Sequence, residues 1–333
     1  MKQFDIYALG NALLDIEYHS TPEALADLGI DKGVMTLIDE DRQHGLMARL
    51  GESHEKMTCG GSAANTVIAM AQLGASAHFD CRVSNDESGQ IYVRDLHDSG
   101  VNSILDSKPL PDGVTGKCLV FVTPDTDRTM NTFLGVSAEL DVDDIDAEAI
   151  KGSQMIYIEG YLASAANTRD AAIEARRIAE AHGNRTSITL SDPNMVRLFR
   201  DSLEAMIGDR VDLLFANEDE AMELAATDSL ESAVELFKQR ARSFAITRGK
   251  HGSLLYDGES LIEVKPTVVD AVDSLGAGDM FAGAFLYGLS EGMSYAQAGE
   301  LASRAAARLV TEFGPRLEPA ETRAVLHAFK SGN

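Results

Sequence analysis

The feature that most constrains this chain is an alternation. Short apolar runs at residues 5–9, 77–83, 154–158, 187–190, 212–216 and 243–247 are interleaved with helical patterns at 62–73, 87–97, 168–182 and 230–239. Strand-length apolar runs separated by helices imply parallel βαβ units with helices on both faces of the sheet. Asn167 is placed to cap the helix at 168–182 and Gly183 to stop it. The expected fold is therefore α/β, a mostly parallel central sheet between two helical layers.

Two regions break that rhythm. Residues 117–122 and 126–132 read as antiparallel strands about the polar turn Thr123-Pro124-Asp125, and 252–264 as a hairpin turning at Asp257-Gly258. Residues 15–39 have weak helical periodicity and could supply more β-ribbon. The first ribbon, with part of 15–39, is expected to form a small β-lid on the large sheet. The acidic run 141–148 reads as a solvated loop leading into a helix.

Charge limits the function. With 53 Asp+Glu against 29 Lys+Arg the formal net charge is −24. Nucleic-acid backbones need Lys/Arg-rich surfaces, so a generic nucleic-acid partner is excluded. An anionic substrate must be held by a local positive feature. The three cysteines, Cys59, Cys81 and Cys118, include no CxxC pair and read as reduced, buried thiols of a cytosolic protein. The start lacks a signal-peptide pattern, and the apolar stretch at 280–289 is far shorter than the roughly 18 residues that span a bilayer. A cytoplasmic protein with no membrane partner is expected.

Three segments carry candidate chemistry. In Asp273-Ser274-Leu275-Gly276-Ala277-Gly278-Asp279, two glycines flank Ala277 at the start of an apolar helix. Free N–H groups there, with the helix dipole, bind an anion without any basic side chain. Asp279 at the same helix start suits a general base, or else a plain helix cap. In Gly60-Gly61-Ser62-Ala63-Ala64-Asn65, glycines again open a helix, and Asn65 can both donate to and accept from hydroxyls. In Asn217-Glu218-Asp219-Glu220, Asn217 and Glu220 share a helix face. That pair suits Mg²⁺ held through water, or an ordinary N-cap.

Taken in order along nearly the whole chain, these segments resemble the ribokinase-like (PfkB) family of carbohydrate and nucleoside kinases. The resemblance is carried by Gly10-Asn11-Ala12-Leu13-Leu14-Asp15, Gly60-Gly61 to Asn65, Asn217 to Glu220, Thr247-Arg248-Gly249 with Gly252, and Asp273 to Asp279. It implies one ribokinase-like domain over 1–333, with lid segments in 12–40 and 113–135. It also implies roles. Asp279 would be the catalytic base, and Gly276, Ala277 and Gly278, with the Asp279 amide, would form the anion hole. Asn11, Leu13, Asp15, Gly60, Gly61, Ser62 and Asn65 would contact the acceptor. Asn217, Thr247, Gly249, Gly252 and Gly278 would line the nucleotide. Asn217 and Glu220 would organise Mg²⁺ water, and Asp273 and Gly314 would lie near a monovalent cation such as K⁺.

Adenosine kinase-like members of that family are similar in three further stretches: Gly10 to Asp15, Lys32-Gly33-Val34-Met35-Thr36-Leu37, and Phe313-Gly314-Pro315-Arg316-Leu317. The resemblance makes Arg128 a lid arginine that neutralises phosphate, and sets Leu13, Met130 and Leu134 against a nucleobase. Ser191-Asp192-Pro193-Asn194 departs from it: Asn194 stands where an aromatic is expected, and Tyr161 is the candidate replacement. Arg197 falls one residue later than in sugar kinases of the family. The implied activity is ATP-dependent phosphorylation of a primary hydroxyl, that of a ribonucleoside, with a sugar or sugar acid as the alternative acceptor. ATP and Mg²⁺ are the expected cofactors, and the chain acts as a monomer or homodimer.

Other classes lack their marks. No Gly-x-Gly-x-x-Gly follows an early strand, as a dinucleotide oxidoreductase requires. No G-x-x-x-x-G-K-[ST] occurs, since Gly249-Lys250 is followed by His251. A ligand sensor that kept the fold but lost catalysis would not need Asp279.

Overall fold

The computed structural model describes residues 2–51, 54, 56–125 and 128–332. A nine-stranded sheet runs in the order Leu261–Val264, Ser253–Tyr256, Ala241–Thr247, Val211–Asn217, Arg185–Thr189, Ser153–Ile158, Phe4–Leu9, Ala77–Asp80, Val101–Asn102. The last seven strands are parallel, and the first two form the antiparallel hairpin expected at 252–264.

Period-two alternation divides each strand between two cores. Ile6, Ala8, Leu213 and Phe215 join one apolar cluster with the helices Ser62–Leu73, Ala277–Ser290 and Tyr295–Leu309. Tyr7, Leu9, Leu214 and Ala216 join the other with Ala166–Ala181, Pro193–Ile207 and Leu230–Arg240. Phe4–Leu9 pairs with Ala77–Asp80 on one side and Ser153–Ile158 on the other. Chain order reverses there, and the crevice beyond the strand ends at such a switch point is where this fold class binds ligands.

The lid is a five-stranded sheet, ordered Met35–Leu37, Arg128–Gly135, Thr115–Val122, Leu13–His19, Lys56–Gly60. The expected ribbon is present from Arg128 on; its start at Thr126 lies outside the described residues. The sheet also recruits 56–60, outside the two expected lid segments. The 15–39 stretch mixes strand with the helix Pro22–Leu28, whose Thr21 cap accepts from the Ala24 N–H at 3.2 Å. Ile16, Tyr18, Leu119 and Phe121 pack under that helix and Glu40–Leu50 through Leu25 and Leu46. The opposite lid face carries Leu13, Asp15 and Cys118 toward the main sheet.

Asn167 is not a cap. The helix begins at Ala166, and the Asn167 amide instead donates to the carbonyls of Ala138 and Leu140 at 2.8 and 3.0 Å. A tertiary contact claimed the side chain that the local pattern assigned to the helix start. The 280–289 apolar stretch lies within a helix packed in the first core. Among the described residues no helix is long and apolar enough to cross a membrane. All three cysteines are free and buried.

Candidate active site

Gly276 caps the helix Ala277–Ser290 at φ 73°, and a Cβ there would lie 2.2 Å from the Pro315 carbonyl oxygen. Only glycine turns the chain this tightly against that backbone. The Ala277 N–H donates to Ser274 O at 3.3 Å, and the Met280 N–H to Gly276 O at 2.8 Å. The N–H groups of Gly278 and Asp279 have no acceptor among the described residues, as a helix start leaves them. They are the amides an anion would meet.

Asp279 lies beside them and lines a cleft of about 350 Å³. Its carboxylate accepts from Ser62 Oγ at 2.6 Å and from Asn65 Nδ2 at 3.0 Å. Burial pushes its pKa up to about 6, against the lowering effect of those two bonds and of Arg316. Gly61, at φ 99°, opens the helix that carries both donors; a Cβ there would meet Asn11 O at 2.3 Å.

Asn11, Leu13, Asp15, Gly61, Ser62, Asn65, Met130 and Tyr161 all line this cleft with Asp279. Leu134 does so as well, while Gly60 stands just behind, its carbonyl accepting from Tyr92 Oη at 2.8 Å. Burial raises Asp15 to about 7, with Arg316 pulling the other way. Asn194 does not line the cleft, and Arg197 is exposed and pairs with Glu223 at 3.3 Å.

A second cleft, of about 400 Å³, is lined by Thr247, Gly249, Gly252, Val268, Ala277 and Gly278 among others. The two clefts share Thr247, Gly278 and Phe281, so the turn at 276–279 is the partition between them. Asn217 lines the first cleft rather than the second. It forms a capping box with Glu220: Asn217 N and Nδ2 donate to the two Glu220 oxygens at 2.9 and 2.7 Å, and Glu220 N donates to Asn217 Oδ1 at 2.8 Å. Burial pushes Glu220 up to about 8. Both Glu220 oxygens are engaged by Asn217 within the helix's own cap. A metal arriving on nucleotide phosphates would meet this pair only through water.

Arg128 lines neither cleft. Its guanidinium binds Asp273, which also accepts from the N–H groups of Leu275 and Gly314, each at 2.8 Å.

Two residues given no role from sequence complete the site. Glu159 follows the strand Ser153–Ile158 and is 1% exposed. It accepts from Asn11 N at 3.3 Å, Asn11 Nδ2 at 2.9 Å and Ala63 N at 2.9 Å, fixing Asn11 against the second glycine-opened helix. Its pKa is raised to about 7 by burial. A carboxylate at the end of a central strand was the available signal. Arg316 donates to Asn65 Oδ1 and Asp95 Oδ2 at 2.8 and 2.7 Å and to the Cys59 carbonyl, orienting the amide that serves Asp279.

A family model for pfkB family carbohydrate kinases matches residues 30–323. The chain belongs to the pfkB family. It is a phosphotransferase with an alcohol group as acceptor. A 5-dehydro-2-deoxygluconokinase of Clostridium perfringens is 30% identical over 75% of this chain and 78% of its own. The crystal structure of an adenosine kinase from Sinorhizobium meliloti superposes with a TM-score of 0.90, at 34% identity over 98% of this chain and 99% of that one. A probable sugar kinase from Rhizobium etli gives 0.91, at 33% identity over 100% and 99%. This pfkB kinase thus has the ribokinase-like fold with a lid.

Proposed function

We propose that this kinase transfers the γ-phosphoryl of ATP to a primary hydroxyl of a ribonucleoside, with Asp279 as general base. One observation carries the proposal: Asp279 stands at the helix start common to both clefts, beside amides with no other acceptor. An acceptor hydroxyl in the first cleft would lose its proton to Asp279 as the oxygen attacks. The amides of Gly278 and Asp279, with Ala277 beside them, would hold the charge that develops on the phosphoryl; one such donor is worth roughly 2.7–4 kcal/mol of barrier. The pKa of about 6 keeps Asp279 ionised near neutral pH yet basic enough to take a proton. Asp15, Asn11 and Asn65 would grip the sugar hydroxyls, and Glu159 would hold Asn11 in place. Thr247, Gly249 and Gly252 would line the nucleotide. Mg²⁺ would supply charge neutralisation on the nucleotide phosphates.

The cleft lining favours a nucleoside over a sugar acid. Its ionisable carboxyl groups are Asp15, Glu159, Glu220 and Asp279, and no Lys or Arg lines it among the described residues. The gluconate-type acceptor in the name of the Clostridium perfringens relative would bring a carboxylate with no cation to meet it. An apolar lining of Leu13, Met35, Met130 and Leu134, with Tyr161 in the same cleft, suits a nucleobase. The test is ADP release with Mg²⁺ over adenosine, inosine, guanosine, fructose and a sugar acid. Preference for a nucleoside is expected, and a clear preference for fructose or the sugar acid would overturn the assignment.

A further inference from the structure

Asp273 enters the loop that presents the anion-hole amides, where the family resemblance implied a monovalent cation near Asp273 and Gly314. The residues do not fit such an ion. Two carboxylate oxygens offer about four lone-pair sites, and three N–H donors bond them, Leu275 N, Gly314 N and Arg128 Nε, with Arg128 Nη2 in ion-pair contact beside them. The carboxylate's charge is met by the guanidinium, and the two side chains are 0% and 7% exposed.

We propose that Arg128 is the built-in cation of Asp273, replacing a bulk monovalent ion. Arg128 begins the lid strand Arg128–Gly135, whereas Asp273 anchors the loop leading to Gly276. The pair therefore joins the lid to the anion hole. Closing the lid brings the charge that sets the Asp273 carboxylate, and through Leu275 and Gly314 the carboxylate sets the loop. Arg128 is then a positioning residue that acts on the amides through Asp273. A planar fork with fixed N–H directions does this better than a point charge.

The turnover arm of the test rests on the phosphoryl-transfer proposal; the melting arm does not. Melting temperature and turnover are measured on the full chain in K⁺ and in tetramethylammonium at equal ionic strength. For the wild type, turnover within twofold in the two salts and no K⁺-specific rise in melting temperature are expected. Arg128→Ala should melt lower, lose at least tenfold in turnover, and regain part of both with guanidinium ion at low millimolar concentration. Should Arg128→Ala fail to fold, Arg128→Lys carries the test, since it keeps the charge and should remain indifferent to K⁺. Activation of the wild type or of Arg128→Lys by K⁺ beyond twofold, or a K⁺-specific rise in their melting temperature, would overturn the proposal. A folded Arg128→Ala that ignores guanidinium would do the same. If no acceptor is phosphorylated at all, the functional assignment fails while the melting data still decide this one.

Discussion

Asp279 and Glu220 invite comparison, because both are carboxyl groups in the first turn of a helix and both line the same cleft, Glu220 buried and Asp279 half-buried. Their partners differ. Glu220 is satisfied by Asn217, three residues earlier, in a closed capping box. Asp279 is held by Ser62 and Asn65, more than two hundred residues away in sequence. A carboxyl satisfied by its own helix start secures that helix. Asp279, held by a distant element, joins two parts of the chain beside the cleft. Burial also raises the two by different amounts, to about 6 and about 8, and only the lower value leaves the carboxyl ionised at neutral pH.

The comparison breaks most sharply at Asp279. Asp279→Asn keeps an acceptor for Ser62 and should melt near the wild type, yet lose about 10²–10⁴ in kcat, the range of general acid–base catalysis. Near-wild-type kcat would remove the base assignment. Asn65→Ala is next: deleting a hydrogen bond to a charged group costs about 1.5–3 kcal/mol, or roughly 10–100-fold in kcat/KM. That bond lowers the Asp279 pKa, so the variant's acid limb should move above the wild-type position. In the wild type itself, kcat/KM should fall as pH drops through about 6, because Asp279 must give up its proton to act as base. A profile flat from pH 5 to 8 would contradict this.

The smallest effect is expected at Glu220→Gln, with turnover within a few-fold of the wild type. Its signature is in stability. The Glu220 pKa is raised on folding from 4.5 to about 8, so its contribution is present below pH 4.5 and is lost as pH rises through 8. Asp15 and Glu159 add the same trend up to about pH 7. Melting temperature should therefore fall from pH 5 to 9, and fall less in Glu220→Gln. An unchanged slope would show that Glu220 titrates like an exposed carboxylate.

Most of the sheet was legible in the sequence because its strands are short, apolar and bounded by helical periods. The helices Glu40–Leu50 and Pro319–Lys330 carry few buried side chains and left a weaker pattern. Asp279 and its glycines were legible because a tight turn, free amides and a carboxylate must be consecutive in the chain. Glu159 and Arg316 were not assigned roles, because each works by touching segments remote in sequence. Asn217 and Glu220 were read both as metal organiser and as cap; spacing alone cannot separate the two, since both need the same three-residue offset.

The sequence by itself thus determined the alternating architecture and the glycine-kinked turn at 276–279, since both depend on periodicity and on neighbours along the chain. Only the tertiary structure decided which carboxyls are held by distant segments, which are closed off locally, and that Arg128 reaches Asp273. Those facts depend on distances between elements far apart in sequence, and desolvation, which sets the carboxyl pKa values, exists only once the core has closed around them.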